Sequence, residues 1–274
     1  MSKDLVRAYY ASFGEREWER LTWPEGVLEW AVTIYALKAH LPATGRILDI
    51  GGGVGRYSIW LAQQSYKVVL ADLSPELIEV AKNKIAEAGV QDQMEAVEVS
   101  DVCDLSKWAD GSFDAVLCLG PFYHLTEEQD REQAAAELVR VLRPSGTVFV
   151  AFMPVYVLLR RTLITESERQ HFNDSTFVGQ LMNEGVFLND VQGRFNSGYG
   201  VRPQAIAPFF EKHGLTTLDL LSDQGFASTN AEALAELKEH NPAAYQTVLE
   251  LIIQTANDPS ILGMAGHLLY IGKK

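Results

Sequence analysis

The chain reads as an α/β protein built on a doubly wound, mostly parallel sheet, and three observations carry that reading. The segment Arg46–Tyr57 runs an apolar strand into a glycine-dense turn and then into helical apolar spacing. From there to residue 152, short aliphatic runs alternate with amphipathic stretches, the pattern of right-handed β-α-β crossovers. Counting to the C-terminus gives seven strand-like runs.

Each element has a local cause. Before the first strand, residues 5–40 offer two helical segments divided around Trp23-Pro24. Ile47, Leu48 and Ile50 form a run that wants burial on both sheet faces, and Arg56 to Ala62 follows as a helix. Lys67 to Ala71 is the second strand. Ser74 then caps a helix with Pro75 at its first position and Glu76 near the positive end of its dipole, and Gly89 stops it. Met94 to Val99 is a third, weaker strand and Phe113 to Leu119 a fourth. Thr126-x-x-Gln129 predicts a capping box for a helix reaching about Leu142. Pro144-Ser-Gly146 predicts a turn into a fifth strand, Thr147 to Phe152. Pro203 opens a helix that Gly214 ends, Leu215 to Leu221 is the sixth strand and His267 to Ile271 the seventh. Between these two, helical segments near 231–239 and 243–255 exceed what a minimal sheet needs.

This divides the chain into a helical cap over 1–40, a sheet core over 41–153, an insertion over 154–202 and a C-terminal part of the core over 203–274. The insertion loses the alternation and turns rich in Asn, Gly and aromatic residues. With the extra helical pair it is expected to form a lid.

With 274 residues the chain can bury a full core. A net charge of −13 argues against a protein that relies on counterion release from nucleic acid, so a small-molecule partner is expected. The two cysteines, Cys103 and Cys118, cannot complete a four-ligand zinc set and read as buried free thiols. The N-terminus has no apolar core of a signal peptide, and the longest apolar stretch, Thr147 to Leu159, is short and broken by Pro154. A soluble cytoplasmic protein, without membrane or metal, is the expectation; oligomeric state is left open.

The glycine turn has several possible tenants. The dinucleotide fingerprint G-x-G-x-x-G fails because Arg56 and Ser58 occupy its required glycine places. The phosphate loop fails for want of its Gly-Lys-Ser/Thr ending. What stands is Asp49-x-Gly51-x-Gly53-x-Gly55. It resembles motif I of the class I S-adenosylmethionine-dependent methyltransferases. The resemblance covers roughly residues 40–152 and implies a Rossmann-like sheet whose last strand is antiparallel, with S-adenosyl-L-methionine as cofactor.

In an open α/β sheet, ligands sit outside the carboxyl ends of the strands. Asp49, Gly51, Gly53 and Gly55 follow strand one, Asp72 and Leu73 strand two, Asp101 and Val102 strand three, and Leu119 strand four. All are candidate cofactor contacts. A carboxylate at Asp72 can accept both hydrogen bonds of a ribose diol. The resemblance assigns the adenine amino group to Asp101 and a ring nitrogen to the Val102 amide. Each aspartate taken alone reads better as a helix cap or loop residue, as Asp92 and Asp104 do; the joint placement of the others at three successive strand ends favours the site. The stretch Tyr9 to Trp18 resembles the aromatic leader that covers the cofactor in small-molecule methyltransferases, which makes Tyr10 a candidate contact; Phe13 and Trp18 read as packing.

Past strand four, Tyr123 and His124 lie where the family places residues facing the methyl group. His124 is the candidate base because imidazole titrates near neutral pH, or else it fixes the loop; Tyr123 is a candidate for shaping the pocket or bonding substrate. In the insertion, Arg194 or Arg202 is a candidate fork for a substrate carboxylate, although both read more readily as surface arginines on a lid, and Tyr199 between two glycines is a candidate mobile substrate contact. His40, His171, His213, His240 and His267 show no metal-ligand spacing and read as structural or exposed. The implied activity is in-line methyl transfer to an O or N nucleophile of a small metabolite. A cofactor-binding regulatory subunit and a nicotinamide-dependent oxidoreductase are the alternatives.

Overall fold

The computed structural model describes residues 6, 7, 10, 14–191 and 195–274. Its sheet begins with β1 (Arg46–Ile50), β2 (Lys67–Asp72), β3 (Met94–Val99), β4 (Phe113–Cys118) and β5 (Leu142–Pro154). β6 (Val186–Leu188), β7 (Ser197–Val201), β8 (Thr216–Ser222) and β9 (Leu268–Lys273) complete it. The main order is β3-β2-β1-β4-β5-β9-β8. Pairing is parallel from β3 through β5, and β9 runs antiparallel between β5 and β8. The seven expected strands and the antiparallel last one are therefore present.

Strand alternation sorts the core into two layers. Leu48, Ile50, Val116, Cys118, Val148, Val150 and Tyr270 face one side, with Leu138 of the helix Glu128–Val141 and Phe210 of the helix Pro203–Glu211. Ile47, Ala115, Leu117, Phe149 and Ile271 face the other, against Leu28, Val32 and Leu37 of the helix Pro24–His40. A period of two puts neighbours on opposite faces, so a continuous aliphatic run serves both layers.

Most local signals act as read. Ser74 Oγ accepts the Leu77 amide and Gly89 closes the helix Pro75–Ala88 at φ +68°. Three readings are corrected. Thr126 makes no capping box: the helix starts at Glu128, and no side chain caps it. The N-cap position falls on Glu127, one residue past Thr126, and the buried Arg131 guanidinium donates to the carbonyl oxygens of Leu125 and Thr126. Residues 144–146 are an irregularity inside the longer β5 and not a turn before it: Ser145 takes φ +66° and its amide bonds the Lys274 carbonyl. The insertion also carries two strands that were not expected, β6 and β7. They pair antiparallel, and β7 joins β5 at Met153 and Pro154.

The insertion has an apolar cluster of its own, Val155, Leu158, Phe177, Leu181, Phe187 and Phe195. The helical pair Ala231–His240 and Pro242–Gln254 packs on the helix Pro24–His40, with Leu234 and Ile252 in the shared core. Cys118 is buried and Cys103 half-buried, both as free thiols. No helix among the described residues is long and apolar enough to cross a membrane.

Phe210 is fully buried and stacks on Tyr270 with ring centroids 4.4 Å apart. Phe210→Ala should cost about 3–5 kcal/mol in urea unfolding, from lost burial plus a cavity that rigid neighbours cannot close. A cost below about 1 kcal/mol would show that this layer is not packed as described.

Candidate active site

The strand order reverses direction of growth between β1 and β4, and both strands end at the same crevice, where such sheets bind ligands. The turn after β1 is held by the amides of Gly51 and Gly52, which both donate to the Ala71 carbonyl, at 2.7 and 3.2 Å. Gly51 has φ +74°, and a Cβ there would collide with the Pro121 ring of the loop after β4. Glycine is thus required twice, by the backbone angle and by the approach of the second loop. Gly55 differs from the expectation of a ligand contact. It lies off the cavity wall, and a Cβ there would meet Leu70 at 2.9 Å, so it serves the seating of the helix Arg56–Gln63 on the sheet.

One cavity collects most of the predicted residues: Tyr10, Asp49, Gly51, Gly53, Asp72, Leu73, Asp101, Val102, Leu119, Tyr123 and His124 all line it. Asp49 is buried, with Oδ2 accepting from Ser58 Oγ at 2.7 Å and Oδ1 without a hydrogen-bond partner among the described residues. Burial raises its pKa to about 6, and the Asp72 charge adds to the rise. Asp72 accepts the Gly53 amide at 2.9 Å and the Ser74 amide at 2.8 Å. Burial raises its pKa too, with those amides pulling the other way. Each oxygen keeps a lone pair for a further donor. Asp101 Oδ1 accepts the Cys103 amide at 2.9 Å.

On the far wall, the short turn Pro121–His124 presents Tyr123 and His124. The His124 Nε2 lies 2.9 Å from the Tyr10 hydroxyl. Burial pulls the His124 pKa down to about 4, against a backbone hydrogen bond to Ser197 that favours the charged form. The ring is therefore neutral near pH 7. Burial, then the nearby Glu29 carboxylate, push the Tyr123 hydroxyl well above its ordinary pKa.

Two insertion candidates fare differently. The Tyr199 ring lies under the Arg131 guanidinium, 3.7 Å from its centroid, and is not part of the cavity wall. Its flanking glycines are packing positions: side chains at Gly198 and Gly200 would strike Phe195 and Leu158. A mobile contact is not what this geometry holds. Arg194 lies outside the described residues, as do Tyr9 and Phe13 of the aromatic leader.

The cavity also has a polar wall that sequence reasoning missed, made by Glu17, Arg20, Glu29 and Arg56. Arg20 bonds Glu17 through two nitrogens, at 2.9 and 2.6 Å. Arg56 donates to the carbonyl oxygens of Leu21 and Gly26 and covers Trp30, so it ties the N-terminal helices to the turn. Burial raises the Glu29 pKa. His267, expected to be structural or exposed, has Glu29 and Asp223 beside its Nδ1, at 3.6 and 3.4 Å. Burial opposes its charge, yet the two carboxylates lift its pKa above the ordinary value. The only sequence trace of this wall was the Glu15-Arg-Glu-Trp18 stretch of the leader.

Residues 48–150 match the family described as Methyltransferase domain. A glycine/sarcosine N-methyltransferase from Parasynechococcus marenigrum is 35% identical over 145 residues, which cover 52% of this chain and 49% of that one. A ubiquinone biosynthesis O-methyltransferase from Xanthomonas axonopodis is 31% identical over 165 residues, covering 56% and 66% respectively. The chain thus spans about half to two thirds of the length of these curated relatives. Among solved structures, the Burkholderia thailandensis 1,6-didemethyltoxoflavin-N1-methyltransferase superposes with a TM-score of 0.58 at 15% identity, over 99% of this chain and 88% of that one. That likeness is one of fold. Residues 48–150 thus form a methyltransferase domain of the class I S-adenosylmethionine-dependent kind.

The residues present fit that cofactor. The orphaned Asp49 Oδ1 asks for a donor, which an α-amino group would supply, and the spare lone pairs of Asp72 suit a diol.

Because its folded pKa is raised, Asp49 supports the fold fully only below the unfolded value near 3.8, and this support is lost as pH rises through about 6. Asp49→Asn should therefore match wild type near pH 4 and exceed its stability by on the order of 2–3 kcal/mol at pH 7. Denaturant melts at both pH values check this; a constant difference would place the titration elsewhere.

Proposed function

We propose that this protein transfers the methyl group of S-adenosylmethionine to an oxygen or nitrogen of a small-molecule acceptor. The observation that carries the reading is the convergence of Asp49, Asp72, Asp101 and the glycine turn on one cavity at the switch point of the sheet. The relatives named above methylate N and O atoms of small molecules according to their names, which supports that acceptor class. The bound cofactor supplies an electrophilic methyl on a sulfonium; the chain's part is alignment and exclusion of water.

In this reading Asp72 and Asp101 hold the nucleoside, Asp49 the amino end, and Leu119 and Val102 the apolar contacts between. Tyr123 faces the acceptor with its hydroxyl protonated, so it donates a hydrogen bond and does not act as a base. His124 is a weak base at a pKa of about 4, and its Nε2 is engaged by Tyr10. It serves as a positioning residue that orients the Tyr10 hydroxyl over the cavity. An acceptor that must lose a proton would lose it to bulk water before the cavity closes on it.

Calorimetry with S-adenosylhomocysteine should give saturable binding that Asp72→Ala weakens at least tenfold, about 1.4 kcal/mol, in line with loss of hydrogen bonds from a charged group. Tighter binding of NAD would restore the oxidoreductase alternative. Incubation with labelled cofactor and a metabolite extract should yield methylated product; binding without any product would favour a regulatory subunit. Once an acceptor is known, the pH profile of kcat/KM should carry the inflexion at about 6 that Asp49 contributes and none that is lost in His124→Phe. A His124-dependent inflexion would make His124 the base after all.

A further inference from the structure

Three groups from distant parts of the chain meet beside Tyr123. Asp223 follows β8, His267 precedes β9, and Glu29 lies on the helix Pro24–His40. Their ligand-type atoms, one from each, all fall within 4.8 Å of one another. The Asp223 side chain is almost fully buried. Its Oδ1 accepts the His267 amide at 2.8 Å, which aims Oδ2 into the cluster. There Oδ2 has no hydrogen-bond partner among the described residues, and neither does His267 Nδ1. The two face each other as an ion pair at 3.4 Å, and a buried carboxylate oxygen and imidazole nitrogen that make no hydrogen bond are costly unless something else joins them.

From this geometry we propose a divalent metal site formed by Glu29, Asp223 and His267. Bonds of about 2.0–2.2 Å place adjacent ligands about 3.0 Å apart around an octahedral ion and about 3.4 Å apart around a tetrahedral one. The observed separations from His267 Nδ1, 3.4 Å to Asp223 Oδ2 and 3.6 Å to Glu29 Oε2, need little contraction to reach that range. A single N–H cannot donate well to both carboxylates, whereas a cation accepts all three groups and cancels two negative charges. The nearby cations are committed elsewhere: Arg20 to Glu17, Arg56 to two carbonyl oxygens, Arg160 to the Met264 carbonyl and Ser228. One imidazole with two carboxylates suits zinc, manganese or iron(II) better than calcium.

The position indicates a role. The His267 ring stands 5.4 Å from Tyr123, and Glu29 is itself part of the cavity wall. The ion would sit at the acceptor end, across the crevice from Asp72 and Asp101, with open positions for an acceptor oxygen. That role rests on the methyl-transfer reading; the site itself does not.

Cobalt(II) alone, titrated into the metal-stripped full chain, tests the site through its visible absorption. Saturation at one equivalent is expected, with displacement by zinc, and Glu29→Gln, Asp223→Asn and His267→Ala should each weaken it at least about tenfold. Should the buried substitutions unfold the chain, Glu29→Gln decides alone, with circular dichroism verifying its fold. No uptake at millimolar cobalt, or equal uptake by folded Glu29→Gln, would reduce the cluster to an ion pair. S-adenosylhomocysteine binding measured on the same samples separates the two proposals: if it persists without cobalt uptake, only the metal site falls.

Discussion

Gly51 lets two loops share a space that a methyl group would fill. Its positive φ turns the chain out of β1, and its missing side chain leaves room for the Pro121 ring. That contact sets the distance between the end of β1, with the cofactor-type residues, and the turn after β4, with Tyr123 and His124. Parallel pairing of β1 with both β2 and β4 then fixes the other strand ends around it. The cavity is a consequence of these constraints, since carboxyl ends of neighbouring parallel strands fan out to leave a crevice.

The electrostatics follow from where the acids are placed. Asp49, Asp72 and Glu29 are drawn into low-dielectric surroundings that favour their protonated forms. Such burial costs stability, and it persists where a ligand bearing donors or positive charge relieves it. On the opposite wall, His124 is kept neutral by the same effect acting on a base. One physical effect, desolvation, thus disfavours the charge of the three acids and of the imidazole alike.

How much of this was legible depends on the range of the interaction. The seven strands of the main sheet, the Ser74 cap, the Gly89 stop and the cavity-lining aspartates were readable, because strand-end position and glycine spacing are local in sequence. The Thr126 box failed because the helix starts one residue later than the box requires, with Glu127 at the N-cap. Tyr199 looked like a hinge residue because glycines permit motion, but those glycines answer to Phe195 and Leu158. Gly55 looked like the rest of the motif and packs against Leu70.

By itself the sequence determined the seven-stranded main sheet, its crossovers and the strand-end residues that line the cavity, since backbone angles, caps and period-two burial act over a few residues. Only the tertiary structure decided that Tyr10 meets His124 and that Arg20 and Glu17 line the cavity. It alone brought Glu29, Asp223 and His267 together. Those meetings join a helix before the sheet to strands at its end. No spacing rule spans such separations; the folded sheet brings them within hydrogen-bonding or ion-pairing reach.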